Sequence, residues 1–174
     1  MNKISVIGRP GSGKSYFSKK LAENTGLPLI HLDRIYHELA ENLEDVDLSR
    51  AMRKTIEEVT SKKRWITDGN YGSTHYIRLP RSDTIIYFDY PLWIVVYRLI
   101  KRQIMYFNRD REDMPRGWRQ HFNPDFYRKH VLGYKRNPWY PKLIKFLSDE
   151  RTTKRAVIFK KPRDAQRFLD NLGK

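Results

Sequence analysis

The sequence contains no cysteine, which excludes disulfide bonds and thiolate-bound metal sites. It also contains no apolar run of membrane-spanning length. The apolar stretch that starts at Ile4 is too short for the hydrophobic part of a signal peptide. These absences predict a cytoplasmic protein that has no membrane partner.

Acidic residues are few relative to basic ones, with 20 Asp and Glu against 35 Lys and Arg and a formal net charge of +15. Such an excess favours partners that carry negative charge, namely nucleotides, nucleic acids or an acidic membrane surface. The charge alone does not choose among these partners.

The rest of the composition is that of a folded chain. Of its 174 residues, 39% are hydrophobic and 13% are aromatic, which argues against disorder. Because no repeat, low-complexity segment or linker divides the chain, we expect one domain that spans residues 1–174.

Short apolar runs alternate with helical patterns along the chain. We predict strands over 4–7, 29–32, 64–67, 84–88 and 156–159, and helices over 16–24, 48–61, 91–107 and 164–172. Gly26 is expected to end the first helix. This alternation predicts an α/β fold with three layers, in which helices cover both faces of a five-stranded parallel sheet.

A glycine-rich segment follows the first predicted strand directly. It reads Gly8, Arg9, Pro10, Gly11, Ser12, Gly13, Lys14, Ser15. The pattern fits a phosphate-binding loop, whose backbone N–H groups and following helix N-terminus bind phosphate oxygens. Lys14 would reach the β- and γ-phosphates of ATP, and the Ser15 hydroxyl would bind Mg²⁺. The alternative is a glycine-rich turn in which Lys-Ser occurs by chance.

Three aspartates stand at the ends of predicted strands, where the ligand crevice of such sheets lies. Asp68 is placed to hold Mg²⁺ through water, because the phosphates bind to the first loop of the same sheet. The alternative is that Asp68 serves only as a turn residue before Gly69. Asp33 and Asp89 are further candidates for the crevice.

The stretch from Phe88 to Pro91, followed by Arg98 and Arg102, resembles the fourth strand and next helix of adenylate kinase and related nucleoside monophosphate kinases. The resemblance implies a P-loop NTPase fold and a role for MgATP. It also implies that Arg98 stacks on the adenine and that Arg102 contacts phosphates. The alternative for both is a solvated charge on an amphipathic helix.

An arginine-rich segment over about 108–120 occupies the position of that family's LID, the loop that closes over ATP. Its arginines are Arg109, Arg111, Arg116 and Arg119. A guanidinium suits this role because its planar fork binds phosphate oxygens bidentately. The sequence leaves open which of the four would reach ATP.

Two further motifs are similar to those of the topology modulation (FlaR-type) proteins, which are related to adenylate kinase. They are His31-Leu32-Asp33 at the second strand and Trp-Ile-Thr-Asp-Gly-Asn-Tyr over residues 65–71. The name of that group reflects an indirect link to DNA supercoiling and implies no particular reaction.

The acceptor region departs from adenylate kinase, which has an aromatic residue followed by Pro-Arg where this chain has Asn70-Tyr71-Gly72. AMP is therefore not implied as the acceptor. In the related shikimate and gluconate kinases, an aspartate near the end of the second strand contacts the acceptor hydroxyl. That resemblance implies acceptor roles for Asp33, Asn70 and Arg78. An equally open alternative makes Asp33 the N-cap of a helix over 34–39.

Aromatic and basic residues alternate between residues 98 and 136. Arginines that bind phosphates, with rings that stack on bases, would suit single-stranded nucleic acid. At helical spacing, as in Phe126, His130 and Tyr134, the rings are better explained as core residues.

These patterns together predict a kinase that transfers the γ-phosphoryl group of ATP, with Mg²⁺, to a small acceptor such as a nucleotide or nucleoside. One alternative is a nucleic-acid-binding ATPase that acts on DNA topology or on an RNA or DNA partner. Another is a nearly inactive nucleotide sensor. The oligomeric state stays open.

Overall fold

A five-stranded, all-parallel sheet forms the centre of the computed structural model, which describes residues 1–106, 123–153 and 155–172. Its strands are β1 (Lys3–Gly8), β2 (Leu29–His31), β3 (Trp65–Asp68), β4 (Thr84–Phe88) and β5 (Ala156–Phe159). They lie in the order β2-β3-β1-β4-β5. The predicted α/β fold is confirmed, and each predicted strand lies within one residue of an observed one at both ends.

Nine α-helical segments occur in the described part of the chain. They are α1 (Lys14–Thr25), α2 (Leu32–Ala40), α3 (Asp45–Ser61), α4 (His75–Arg81), α5 (Leu92–Met105), α6 (Pro124–Phe126), α7 (Trp139–Ser148), α8 (Glu150–Thr153) and α9 (Pro162–Leu172). Gly26 ends α1 as predicted, in the left-handed conformation that favours glycine, and donates its N–H to Ala22. The N-cap interpretation of Asp33 is wrong, because α2 already begins at Leu32.

The sheet is buried on both faces, as parallel sheets usually are. On β4, Ile86 and Phe88 pack into the core cluster that includes residues of α1, α5 and α9. Ile85 and Tyr87 point to the opposite face, into a cluster that α4 and α7 complete. Because side chains alternate along a strand, the four apolar residues in a row over 85–88 place β4 inside two hydrophobic layers.

Of the three residues at helical spacing, Phe126 and Tyr134 support the core interpretation, whereas His130 does not. Tyr134 is buried, and half-buried Phe126 packs against the main core cluster. His130 is exposed, although its ring lies 5.4 Å from that of Phe126.

No helix in the described ranges is both long enough and apolar enough to cross a membrane.

Candidate functional site

Three glycines shape the turn between β1 and α1. Gly8, Gly11 and Gly13 have φ angles of 149°, 83° and 91°, a region that residues with a side chain rarely adopt. A Cβ on Gly8 would lie 2.6 Å from the Cβ of Phe88, and one on Gly11 would lie 2.5 Å from the Cγ of Leu99. The glycines of the predicted motif are therefore required both by backbone conformation and by close packing on β4 and α5.

Side chains from three parts of the sequence bind the backbone of this turn. The Gly8 N–H donates to Oδ1 of Asn70 at 3.1 Å. Lys14 Nζ donates to the Arg9 carbonyl at 3.4 Å, and Arg98 Nη1 donates to the Ser12 carbonyl at 2.7 Å. The structure thus brings Lys14, Asn70 and Arg98, which the sequence singled out separately, to one loop.

Arg9 behaves differently from the other predicted residues of the loop. It is buried, its guanidinium lies 5.3 Å from the ring centroid of Tyr134, and it does not line the cavity described next. The neighbouring residues from Pro10 to Ser15 all line that cavity. Arg9 therefore contacts the protein on the side of the loop that faces away from the cavity.

A cavity of about 1790 Å³ opens at the carboxyl ends of the strands. Small-molecule pockets usually measure about 300–1,000 Å³, so this cavity has room for two ligands. We call one part the loop half; it is lined by residues 11–15 together with Arg98, Lys101 and Arg102. Six residues with cationic or hydroxyl side chains thus gather on this side: Ser12, Lys14, Ser15, Arg98, Lys101 and Arg102.

The other part, the aromatic half, is lined by Asp33, Tyr36, His37, Tyr71 and Trp139. The Tyr71 hydroxyl hydrogen-bonds to the Asp33 carboxylate, and burial together with this carboxylate raises the pKa of Tyr71. The rings of Tyr36 and Tyr71 lie 5.3 Å apart. Tyr71 therefore stays protonated and holds Asp33 at the cavity wall.

Asp68 ends β3 beside the loop and is only 4% exposed. Its Oδ2 lies 3.0 Å from Nδ1 of His31, whereas its buried Oδ1 has no hydrogen-bond partner among the described residues. A carboxylate oxygen without a partner suits a Mg²⁺ ion held through water. Ser15 lines the cavity from α1, whereas Asp68 does not itself line it. The described residues contain no cluster of three or more His, Asp or Glu side chains that could hold a metal. Phosphate oxygens and water would have to supply the remaining ligands.

Arg78 lies behind the turn that follows β3. It is fully buried, and its Nη2 donates to the carbonyls of Gly69 at 2.6 Å and Asn70 at 2.7 Å. Burial lowers the pKa of Arg78 to about 10, against the opposing effect of the nearby Asp68 carboxylate. Arg78 does not line the cavity, so this position offers no direct contact with an acceptor, unlike the expectation from the sequence.

Gly72 and Trp139, which both line the cavity, were not among the site residues predicted from the sequence. A Cβ on Gly72 would collide with the ring of Trp139, so the turn after β3 and α7 pack directly together. The ring of His75 lies 5.2 Å from that of Trp139. Burial and the neighbouring Arg78 lower the pKa of His75 to about 3, which keeps this imidazole neutral. No local pattern pairs position 72 with position 139, so sequence reasoning had no signal to find this contact.

The remaining predicted residues stand apart from the cavity or outside the described ranges. Asp89 Oδ1 lies 3.6 Å from Lys135 Nζ, and Asp89 does not line the cavity. The predicted LID over 108–120 lies outside the described residues, with Arg109, Arg111, Arg116 and Arg119. So do the aromatic residues Phe107, Trp118 and Phe122.

No protein-family model matches the chain. Among curated proteins, the cytidylate kinase of Ignicoccus hospitalis is 25% identical over 114 residues, which cover 59% of this chain and 65% of that protein. The matched region therefore spans slightly less than two thirds of the relative.

Solved structures resemble the chain over nearly its whole length. Shikimate kinase from Acinetobacter baumannii, in complex with shikimate, matches with a TM-score of 0.60 and 17% identity, covering 99% of this chain and 90% of that one. Shikimate kinase from Bacteroides thetaiotaomicron gives 0.57 and 16%, with 98% and 95% coverage. A gluconokinase from Sinorhizobium meliloti gives 0.53 and 20%, with 99% and 93% coverage. At these identities the likeness shows the fold alone, that of P-loop kinases. None of the four names refers to nucleic acid or to DNA topology.

Proposed function

We propose that the protein is an ATP-dependent phosphotransferase that moves the γ-phosphoryl group to a small acceptor, a nucleotide or nucleoside. The observation that carries this proposal is the position of the glycine-shaped loop. It follows the central strand β1 and lines a cavity with room for two ligands, with Lys14, Arg98 and Arg102 on the same side. The kinase names of the similar proteins support the same reaction type.

In this proposal the loop half binds MgATP. The backbone of the loop and Lys14 bind the phosphates, while Ser15 and, through water, Asp68 hold Mg²⁺. The ion would neutralise the charge that develops on the transferred group. Arg98, whose guanidinium lies 5.4 Å from the ring centroid of Tyr90, contributes to the adenine site, and Arg102 reaches the phosphates. The resemblance to adenylate kinase further predicts that the LID arginines complete this site.

The aromatic half receives the acceptor. The acceptor oxygen forms a bond to the γ-phosphorus while the bond to the β–γ bridging oxygen breaks, and ADP leaves. Asp33 accepts a hydrogen bond from the acceptor hydroxyl, positions it and takes up its proton as a weak base. Asn70 lines the cavity between the two halves. We assign Arg78 a positioning role, since it holds the Gly69 and Asn70 carbonyls.

The test is the turnover of γ-labelled ATP with Mg²⁺ against nucleosides, nucleoside monophosphates, small hydroxy acids and short oligonucleotides, with Lys14→Ala as the control. We expect a labelled small product that the wild type forms and the variant does not. ATP binding and turnover unchanged in Lys14→Ala would overturn the assignment of the phosphate loop.

The net charge of +15 favours a second candidate, a nucleic-acid-binding ATPase of the topology modulation type. Such a protein would make many phosphate contacts, so its retention on DNA or heparin would fall steeply with salt. Phosphate release without a labelled small product, accelerated by DNA or RNA, would favour this candidate. Loss of retention near physiological salt would eliminate it.

A further inference from the structure

The charges in the cavity are divided between its two halves. Every Lys and Arg among the described lining residues lies on α1 or α5, on the side of the loop half. The residues that line the cavity from β2, α2, the turn after β3 and α7 include one carboxylate, Asp33, and no Lys or Arg. An acceptor that carries its own phosphate or carboxylate would therefore lie beside a carboxylate of like charge.

The buried cation behind the turn after β3 is already engaged. Arg78 is fully buried, donates to two backbone carbonyls and lies close to Asp68. Turning this guanidinium toward an anionic acceptor would leave the Gly69 and Asn70 carbonyls without their donor, which is costly for buried groups.

The aromatic half offers flat apolar surface instead. The Tyr36 and Tyr71 rings lie 5.3 Å apart at 36°, and Trp139 adds a third large ring to the cavity wall. Such rings stack on planar heterocycles, while the Asp33 carboxylate and Asn70 provide polar contacts beside them. This combination suits a flat ring that carries hydroxyl groups.

We propose that the acceptor is an uncharged, hydroxyl-bearing molecule with a planar ring, of the nucleoside class, and has no phosphate or carboxylate. This inference rests on the proposed function, because it assumes that the loop half binds ATP. It narrows the acceptor to the uncharged member of the predicted nucleotide or nucleoside pair.

The test compares kcat/KM for matched acceptors with MgATP: cytidine against cytidine 5′-monophosphate, and adenosine against adenosine 5′-monophosphate. We expect the nucleoside of at least one pair to exceed its monophosphate by about tenfold or more, which corresponds to about 1.4 kcal/mol. A monophosphate preferred in both pairs, or no turnover of either nucleoside, overturns the inference. If that preferred transfer to a monophosphate depends on Lys14, the inference fails while the kinase function stays intact. ATP binding that does not depend on Lys14 would remove the proposed function itself.

A charge substitution sharpens the same test. His37→Arg adds a cation to the wall of the aromatic half, so the preference should move toward the monophosphate by about tenfold. Glu38→Gln is the matched control, since it also raises the net charge by one on α2 but changes an exposed side chain that pairs with Arg34. Equal shifts in both variants, or none in His37→Arg, would contradict a local charge effect.

A second observation concerns the outer face of α5. Trp93, Tyr97, Ile100 and Ile104 are 72%, 64%, 54% and 74% exposed. Their spacing of four, three and four residues places them in one stripe, which we call the α5 stripe. Val95 and Leu99, on the opposite side of the helix, are buried in the core. A helix that is apolar on both faces is normally covered on both.

The α5 stripe is complementary to itself. In an antiparallel pair of α5 helices centred between residues 98 and 99, Trp93 would face Ile104 of the second copy, and Tyr97 would face Ile100. Each contact pairs one aromatic ring with one branched aliphatic chain. Each contact also occurs twice, as a two-fold symmetric interface requires. The exposed surface of the four side chains is on the order of 600 Å², large for a patch on a monomer and somewhat below the usual share of one partner. We infer that a second copy of this chain covers the α5 stripe in a weak homodimer.

Sedimentation velocity tests this dimer at protein concentrations from about 5 to 200 µM. We expect the dimer to strengthen between about 0.05 and 0.5 M salt, because salt screens the repulsion between two chains of charge +15. Ile100→Lys should weaken it by more than about tenfold, because the new charge would be desolvated at the seam. Val46→Lys, at a valine that is 74% exposed on α3, should leave it unchanged.

A wild type that stays monomeric over this range overturns the dimer. A lower Tm for Ile100→Lys in a monomeric protein would show that residues of the same chain cover the stripe. Association that occurs only with anionic vesicles or DNA and weakens with salt would identify a partner of the opposite charge.

Discussion

The two halves of the cavity are built in different ways. The loop half consists of one continuous turn, residues 11–15, together with cations from α5. The aromatic half consists of side chains from three distant segments, held by contacts such as that between Asp33 and Tyr71. The first half therefore depends on backbone conformation, whereas the second depends on how α2, the turn after β3 and α7 pack together.

Asn70 connects the two halves. Its side chain accepts the Gly8 N–H, and its carbonyl accepts a hydrogen bond from Arg78. The two halves are built from different elements, the loop and α5 on one side and α2, the turn after β3 and α7 on the other. We therefore expect substitutions in the loop half to change ATP binding, and those in the aromatic half to change acceptor use alone.

Lys14→Ala should have the largest effect and should disable the loop half. Loss of a cation that stabilises the transferred phosphoryl group typically lowers kcat by about 100- to 1,000-fold, and we expect a change of that size here. Acceptor binding should persist when it is measured by calorimetry. Lys54→Ala, at an exposed lysine on α3, serves as the control. Loss of acceptor binding in Lys14→Ala would mean that the halves are not separable.

Asp33→Asn should break only the aromatic half. The amide retains the shape of the carboxylate but accepts a hydrogen bond from the substrate hydroxyl more weakly. We therefore expect kcat/KM for the phosphoryl acceptor to fall by about 10- to 100-fold. The Kd of ATP should stay within about twofold, since Asp33 lies with the aromatic residues. A rise in the Kd of ATP as large as the fall in kcat/KM for the acceptor would argue against the division of the cavity.

Two glycine substitutions separate the halves, one in the loop half and one in the aromatic half. Gly11→Ala would press on Leu99, and we expect it to raise the Kd of ATP by about tenfold. Gly72→Ala would displace Trp139, and we expect about the same rise in the KM of the acceptor. Gly26→Ala is the control for backbone strain, because Gly26 also has a positive φ, of 62°, but its Cβ would meet no atom within 4 Å. The two halves are not separable if Gly72→Ala raises the Kd of ATP as much as Gly11→Ala does.

The smallest expected effect is a dependence of stability on pH that arises from His75, beside Trp139. The folded protein holds His75 neutral, with a pKa lowered to about 3, whereas the unfolded chain binds a proton below about pH 6.5. The unfolded state therefore takes up more protons as pH falls, so this contribution to stability is present above about pH 6.5 and is lost toward pH 3. Between pH 7 and pH 5 we expect a loss of about 1–2 kcal/mol in the free energy of unfolding.

Denaturant titration at the two pH values measures this loss. His75→Gln removes the titrating group and should show a smaller difference between them. An equal loss in wild type and variant would assign the pH dependence to other groups.

The sequence predicted the loop half better than the aromatic half. The strands, the glycine turn and the positions of Lys14 and Ser15 depend on neighbouring residues, and such local patterns can be read directly. Arg98 was also singled out from the sequence, through the resemblance of residues 88–102 to adenylate kinase and its relatives. The role of Arg78 was expected at the acceptor, whereas the fold buries it behind the Gly69–Asn70 turn. Burial of a charged side chain depends on what packs around it, and no local pattern records that.

By itself, the sequence determined the α/β alternation, the glycines that the β1–α1 turn requires and the positive charge of the chain. These follow from side-chain periodicity, backbone conformation and simple counting. Only the tertiary structure decided which strand-end carboxylates lie beside the cavity, that His31 pairs with Asp68, and that Tyr71 holds Asp33. The strand order β2-β3-β1-β4-β5 brings the ends of β2 and β3 beside the phosphate loop, although tens of residues separate them along the chain.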